Sequence, residues 1–113
     1  MAGTPLQYPL YACTVTVTNT PQNLLALIQA IGGKYNNCPG SSASYQLQAD
    51  PANSNNILVG DENVAVSPQQ CAALLAPGAG DSYATRCPYI GPIGSLWVVT
   101  SAATALLNLA VFQ

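Results

Sequence analysis

Four cysteines, four carboxylates and two basic side chains are the groups with which this chain could do chemistry, and it contains no histidine. That absence removes the usual general base at neutral pH and the commonest metal ligand. It also excludes every Ser-His or Cys-His nucleophile arrangement. The one adjacent pair of acids is Asp61-Glu62. On a strand the two would face opposite sides, and on the turn that Gly60 suggests both would meet water, so the pair reads as a solvated turn. Gly78-Ala79-Gly80 is glycine-rich but lacks the Lys-Ser/Thr ending of a phosphate loop and reads as a turn as well.

The cysteines, at positions 13, 38, 71 and 87, are separated by 25, 33 and 16 residues. This matches neither paired CxxC zinc spacing nor a redox CxxC. One reading makes Cys13 a core residue and the other three free thiols. The even count suggests disulfides instead, and a hairpin centred near Ala79 would set Cys71 and Cys87 opposite each other. No catalytic, cofactor-binding or metal-binding residue is assigned, and no enzymatic activity is expected.

The elements that would position these groups are mostly strands. Residues 11–18 alternate, with Tyr11, Cys13, Val15 and Val17 on one side and Ala12 and three threonines on the other. Thr20-Pro21 then has the form of a helix start, with Leu24, Leu25, Ile28 and Ile31 at helical spacing and Gly32-Gly33 as the stop, so a short helix is expected over 21–31. Residues 36–44 read as a loop, 44–49 as a strand with Tyr45, Leu47 and Ala49 inward, and 50–55 as a turn into a returning strand at 56–60, together a hairpin.

Ser67-Pro68-Gln69-Gln70 has the outline of a capping box and predicts one helical turn before the apolar run 72–76. The turn at 77–80 predicts a second hairpin into 81–87. Strands are expected at 95–100 and 104–112, with a break at 101–103. The expectation is a mainly β chain: a single β-sandwich, jelly-roll-like, of about six to eight short strands with one short helix. Its core should contain Val15, Val17, Leu47, Val59, Val98, Leu107, Leu109 and Val111. Residues 1–10, with prolines at 5 and 9, read as an extended arm, and 11–113 as the one domain, since 113 residues fit the size of a single compact unit.

Composition narrows the partners. Charged residues make up 5% of the chain, against about 25% in ordinary soluble domains, so the surface must be filled by Asn, Gln, Ser and Thr. Such a surface hydrates well but repels neighbours weakly, which suits a fixed place in an assembly. Lys34 and Arg86 alone cannot neutralise a run of phosphates or hold an anionic bilayer, so neither nucleic acid nor membrane is an expected partner. The first residues lack a basic start and an apolar run, and read as no signal peptide. Half of the residues are hydrophobic, more than a domain of this size can hide, and Tyr8, Tyr11, Tyr35, Tyr45, Tyr83, Tyr89 and Trp97 are of the type enriched both in cores and at interfaces. A homo-oligomer is expected.

Three stretches, in order, resemble a group of small tailed-bacteriophage virion structural proteins. They are the strand-then-helix segment 15–27 (VTVTNTPQNLLAL), the segment 49–64 (ADPANSNNILVGDENV) and the turn 74–78 (LLAPG), followed by Leu96-Trp97-Val98-Val99. The resemblance implies a β-sandwich on the outside of a capsid, or on a tail or fibre, commonly trimeric, and it carries over no catalytic residue. The loop 36–42 and the insertion 67–72 depart from the pattern. The leading expectation is a capsid decoration or cement protein on the virion exterior, assembled in the host cytoplasm, with the major capsid protein or other virion proteins as partners. A tail, fibre or baseplate subunit contacting the host, and a carbohydrate-binding β-sandwich, are the alternatives.

Overall fold

The computed structural model describes residues 10–42, 44–77 and 92–112. Two antiparallel sheets face each other. One has three strands in the order β1 (Leu10–Thr18), β7 (Thr104–Phe112), β3 (Ser44–Ala49). The other has four, in the order β2 (Gln22–Asn23), β6 (Trp97–Thr100), β4 (Ile57–Gly60), β5 (Ala73–Leu75). The described residues are thus mainly β, a small sandwich with one short α-helix, α1 (Leu24–Gln29), and short 3-10 turns at Gly33–Asn37 and Ile93–Ser95.

The register of the three-stranded sheet follows from alternation. On the central strand β7, Leu107 lies opposite Val15 and Ala49, Leu109 opposite Cys13 and Leu47, and Val111 opposite Tyr11 and Tyr45. These residues share one face and pack into the main core with Ile57, Val59, Leu75 and Val98 from the other sheet. All eight core positions expected from alternation are buried. A one-residue slip of β7 would turn its apolar set to solvent, which is what fixes the pairing.

The centre of the four-stranded sheet, β4 and the body of β6, is buried on both sides. Residues 57–59 are apolar without alternation, and Leu58 and Val99 form a second cluster with Val64, against which Val66, Cys71 and Trp97 pack. The connection 61–72 therefore crosses the outer face of this sheet and covers Leu58 and Val99 at its centre. The expected helical turn at 67–70 does not form. Ala65 and Gln70 pair their backbones in both directions, at 2.9 and 2.8 Å, and close the residues between them into a loop.

Two further expectations are corrected. Residues 44–60 are not a hairpin, because β3 pairs with β7 and β4 with β5 and β6, so the turn at 50–56 carries the chain from one layer to the other. Asn53 explains how the corner closes: its side-chain amide accepts from the Leu106 N–H at 2.9 Å and donates to the Leu106 carbonyl at 2.9 Å. It takes the place of the next strand residue, and β3 need not continue.

The helix begins at Leu24 rather than 21, and Ile31, expected on its apolar face, is 46% exposed. Gln22 and Asn23 are drawn into the sheet beside Val98 and Trp97, which moves the cap from Thr20 to Asn23. The Asn23 side chain accepts from Ala26 N–H at 3.1 Å and donates to the Gly94 carbonyl at 3.1 Å. Asn23→Ala removes both bonds and is expected to cost about 1–2 kcal/mol in denaturant unfolding. The helix stops at Ala30, which keeps right-handed geometry, so the expected left-handed cap is not formed there; Gly32 and Gly33, with φ of 89° and 61°, instead turn the chain into the 3-10 segment, a backbone path that suits glycine.

The arm, except for Leu10, and the expected strand at 81–87 lie outside the described residues.

Candidate functional site

The chemistry-bearing side chains gather in two places. The first is where the 3-10 turn Gly33–Asn37 lies along β1. The Tyr35 hydroxyl donates to the Ala12 carbonyl at 2.7 Å, and the Tyr11 hydroxyl to the Asn37 carbonyl at 3.5 Å. Their rings meet edge to face with centroids 6.2 Å apart, and the Lys34 ammonium stands 5.9 Å from the Tyr11 ring and 5.5 Å from the Tyr35 ring. Cation–π attraction and the two hydroxyl bonds hold the turn against the strand. Tyr11 is itself buried, so its ring serves the core.

Beneath this clamp lie two thiols. Cys13 is half-buried and Cys38 is 2% exposed, with the Cys38 carbonyl accepting from the Gln29 side-chain amide at 3.2 Å. Both carry free thiols, as does Cys71. Burial raises the Cys13 thiol above the ordinary 9.0, and the neighbouring Cys38 adds to the rise; burial raises Cys38 as well. The neutral thiol is thus favoured in the folded state. Its contribution to stability is full below pH 9.0 and is lost as pH rises through the raised values. The urea midpoint should accordingly fall above about pH 9, and the double variant Cys13→Ala/Cys38→Ala should show a shallower fall.

The second place is the turn after β4. Asp61 accepts from the Asn63 N–H at 2.8 Å through its side chain and from the Val64 N–H at 2.9 Å through its carbonyl. It spends its polar atoms on shaping the turn, and both Asp61 and Glu62 are exposed. An open cleft of about 390 Å³ adjoins it, lined by Gly60, Asp61, Asn63, Gln70, Cys71 and Ala72. Cys71 lies here, in the loop before β5 and packed against the outer cluster of Leu58, Val64 and Val99, apart from the main core that holds Cys13 and Cys38, whereas Cys87 and Gly78 to Gly80 lie outside the described residues. Among the described residues no three of Cys, Asp and Glu come together as a metal site. No helix among them is long and apolar enough to cross a membrane.

What alternation alone did not single out is the outward face of the three-stranded sheet. Thr14, Thr16, Gln46 and Leu106 are exposed on it. Thr14 donates to the Asn108 side chain at 2.7 Å, and Asn108 donates in turn to Asp50 at 3.2 Å. Among the described side chains, the face is a set of neutral dipoles around Leu106, 40% exposed, with the Asp50 carboxylate at the corner. No family model, curated protein or solved structure matches this chain.

Proposed function

We propose that this chain is a non-enzymatic structural subunit of a tailed-bacteriophage virion, a decoration or cement protein that packs on the capsid exterior as a homo-oligomer. The trimeric state rests on the resemblance of segments 15–27, 49–64 and 74–78. The observation that supports an interaction role is the neutral outward face of the β1–β7–β3 sheet. Among the described side chains, threonine, glutamine and asparagine surround the exposed Leu106, and Asp50 stands at the margin. A protein surface can close on such a face without stripping water from ions, the step that makes charged contacts costly. The centres of interfaces are depleted of charge for that reason.

Light scattering of the purified protein, joined to co-sedimentation with assembled capsids of the phage that encodes it, tests the proposal. A defined oligomer that sediments with capsids is expected. Leu106→Arg should keep the fold, because the side chain points outward, yet weaken capsid binding at least about tenfold by burying an unpaired charge. A monomer that stays in the supernatant would overturn the reading.

A further inference from the structure

We propose that Cys13 and Cys38 are a disulfide-forming pair, closed by exchange with a small-molecule disulfide, that ties the first strand to the 3-10 turn covering it. Two tyrosine side chains tie the strand to the turn at this point. Tyr35 bonds the carbonyl of Ala12, the residue before Cys13, at 2.7 Å, and Tyr11 bonds the carbonyl of Asn37, the residue before Cys38, at 3.5 Å. Cys13 lies on the inward face of β1, between buried Tyr11 and Val15, and packs against the same core to which Cys38 belongs. In keeping with this placement, Cys38 adds to the rise of the Cys13 thiol that burial causes. Gln29 fixes Cys38 from the side of the helix.

Their unequal burial orders the steps. Cys13, half-buried, loses its proton to water and attacks one sulfur of oxidised glutathione, releasing one glutathione thiolate, which takes up a proton. Cys38, enclosed, then loses its proton and attacks the Cys13 sulfur, expelling the second glutathione thiolate, which is protonated in turn. Two protein thiols are oxidised to one disulfide while one glutathione disulfide is reduced to two thiols. Because both thiols are held neutral, closure is slow at pH 7 and accelerates with pH. The bond would close 25 residues of sequence separation and so restrict the unfolded chain.

The sequence provides a clean assay. Its two basic residues, Lys34 and Arg86, divide it under trypsin into 1–34 with Cys13, 35–86 with Cys38 and Cys71, and 87–113 with Cys87. After incubation of the full chain with oxidised glutathione at pH 8, non-reducing mass spectrometry should find 1–34 joined to 35–86, with two hydrogens lost. The same link should form in Cys71→Ser and be absent in Cys38→Ser. The oxidised protein and oxidised Cys71→Ser should both melt at a higher temperature than their reduced forms. A stable glutathione adduct on Cys13 without the link, or a link that persists in Cys38→Ser, would overturn the proposal.

Discussion

Replacing Leu109 with alanine is expected to lower stability by about 2–5 kcal/mol, whereas Leu106→Ala is expected to stay within about 0.5 kcal/mol. The two leucines are three residues apart on β7 and point to opposite faces. Leu109 sits between Cys13 and Leu47 on the inner side, 6% exposed, with neighbours on both strands and the second sheet beneath it. Shortening it leaves a hole that a closely packed interior cannot fill, so the lost contacts add to the lost burial. Leu106 is 40% exposed, and its structural duty lies in its backbone, which Asn53 and Asp50 engage. Urea unfolding of the pair, with unchanged slope, checks both values. Equal losses at the two positions would mean that β7 is shifted by one residue.

Gly94→Ala is expected to cost about 1–3 kcal/mol. A Cβ at Gly94 would meet the Gly40 carbonyl oxygen at 2.8 Å and the Gly40 Cα at 3.1 Å. These are backbone atoms and cannot rotate aside. The contact is also a node: Gly94 N–H donates to the Gly40 carbonyl at 2.9 Å, Ile93 N–H donates to the Ser42 carbonyl at 2.8 Å, and the Gly94 carbonyl accepts from the helix cap Asn23. Forcing the two segments apart disturbs all three and the wholly buried Ile93 beside them. Gly40→Ala should be milder, since its Cβ would meet Leu25 Cδ2 at 2.9 Å, the end of a side chain that has rotamers to explore. Thermal unfolding of the two variants should rank them in this order.

Strands whose two faces differ in polarity were legible from sequence. Tyr11, Val15 and Val17 against the threonines, or Leu107 and Leu109 against Leu106 and Asn108, define a face by period alone, and the structure buries the expected members. Partner choice was not legible in the same way. The turn residues at 50–55 look the same whether they close a hairpin or carry the chain between layers, and the difference is made by Asn53 reaching Leu106, a residue 53 positions away. The helix start moved for the same reason, since Gln22 and Asn23 pair with a strand far along the chain, and tertiary pairing overrode a local cap signal. At 67–70 the pattern resembled a capping box, but a backbone bridge between Ala65 and Gln70 prevailed.

Of the chemistry-bearing groups, sequence alone placed Asp61 and Glu62 on a turn, which is where they lie. It set Cys13 in the core but did not associate it with Cys38. Their separation of 25 residues carries no signal until β1 and the 3-10 turn are seen side by side. The neutral outward face was legible as composition, a scarcity of charge, but not as a surface, because the strand order that assembles Thr14, Asn108 and Gln48 into one row depends on long-range pairing.

The central claim, that the chain acts by packing on a virion surface, is tested most directly by a cryo-electron microscopy map of the particle whose genome encodes it. The predicted result is density for a two-layered β-sandwich repeated over the capsid exterior, with the outward face of the β1–β7–β3 sheet turned against the shell or a neighbouring copy. A complete particle that contains no copy of the chain, by density and by mass spectrometry of the purified virions, would contradict it.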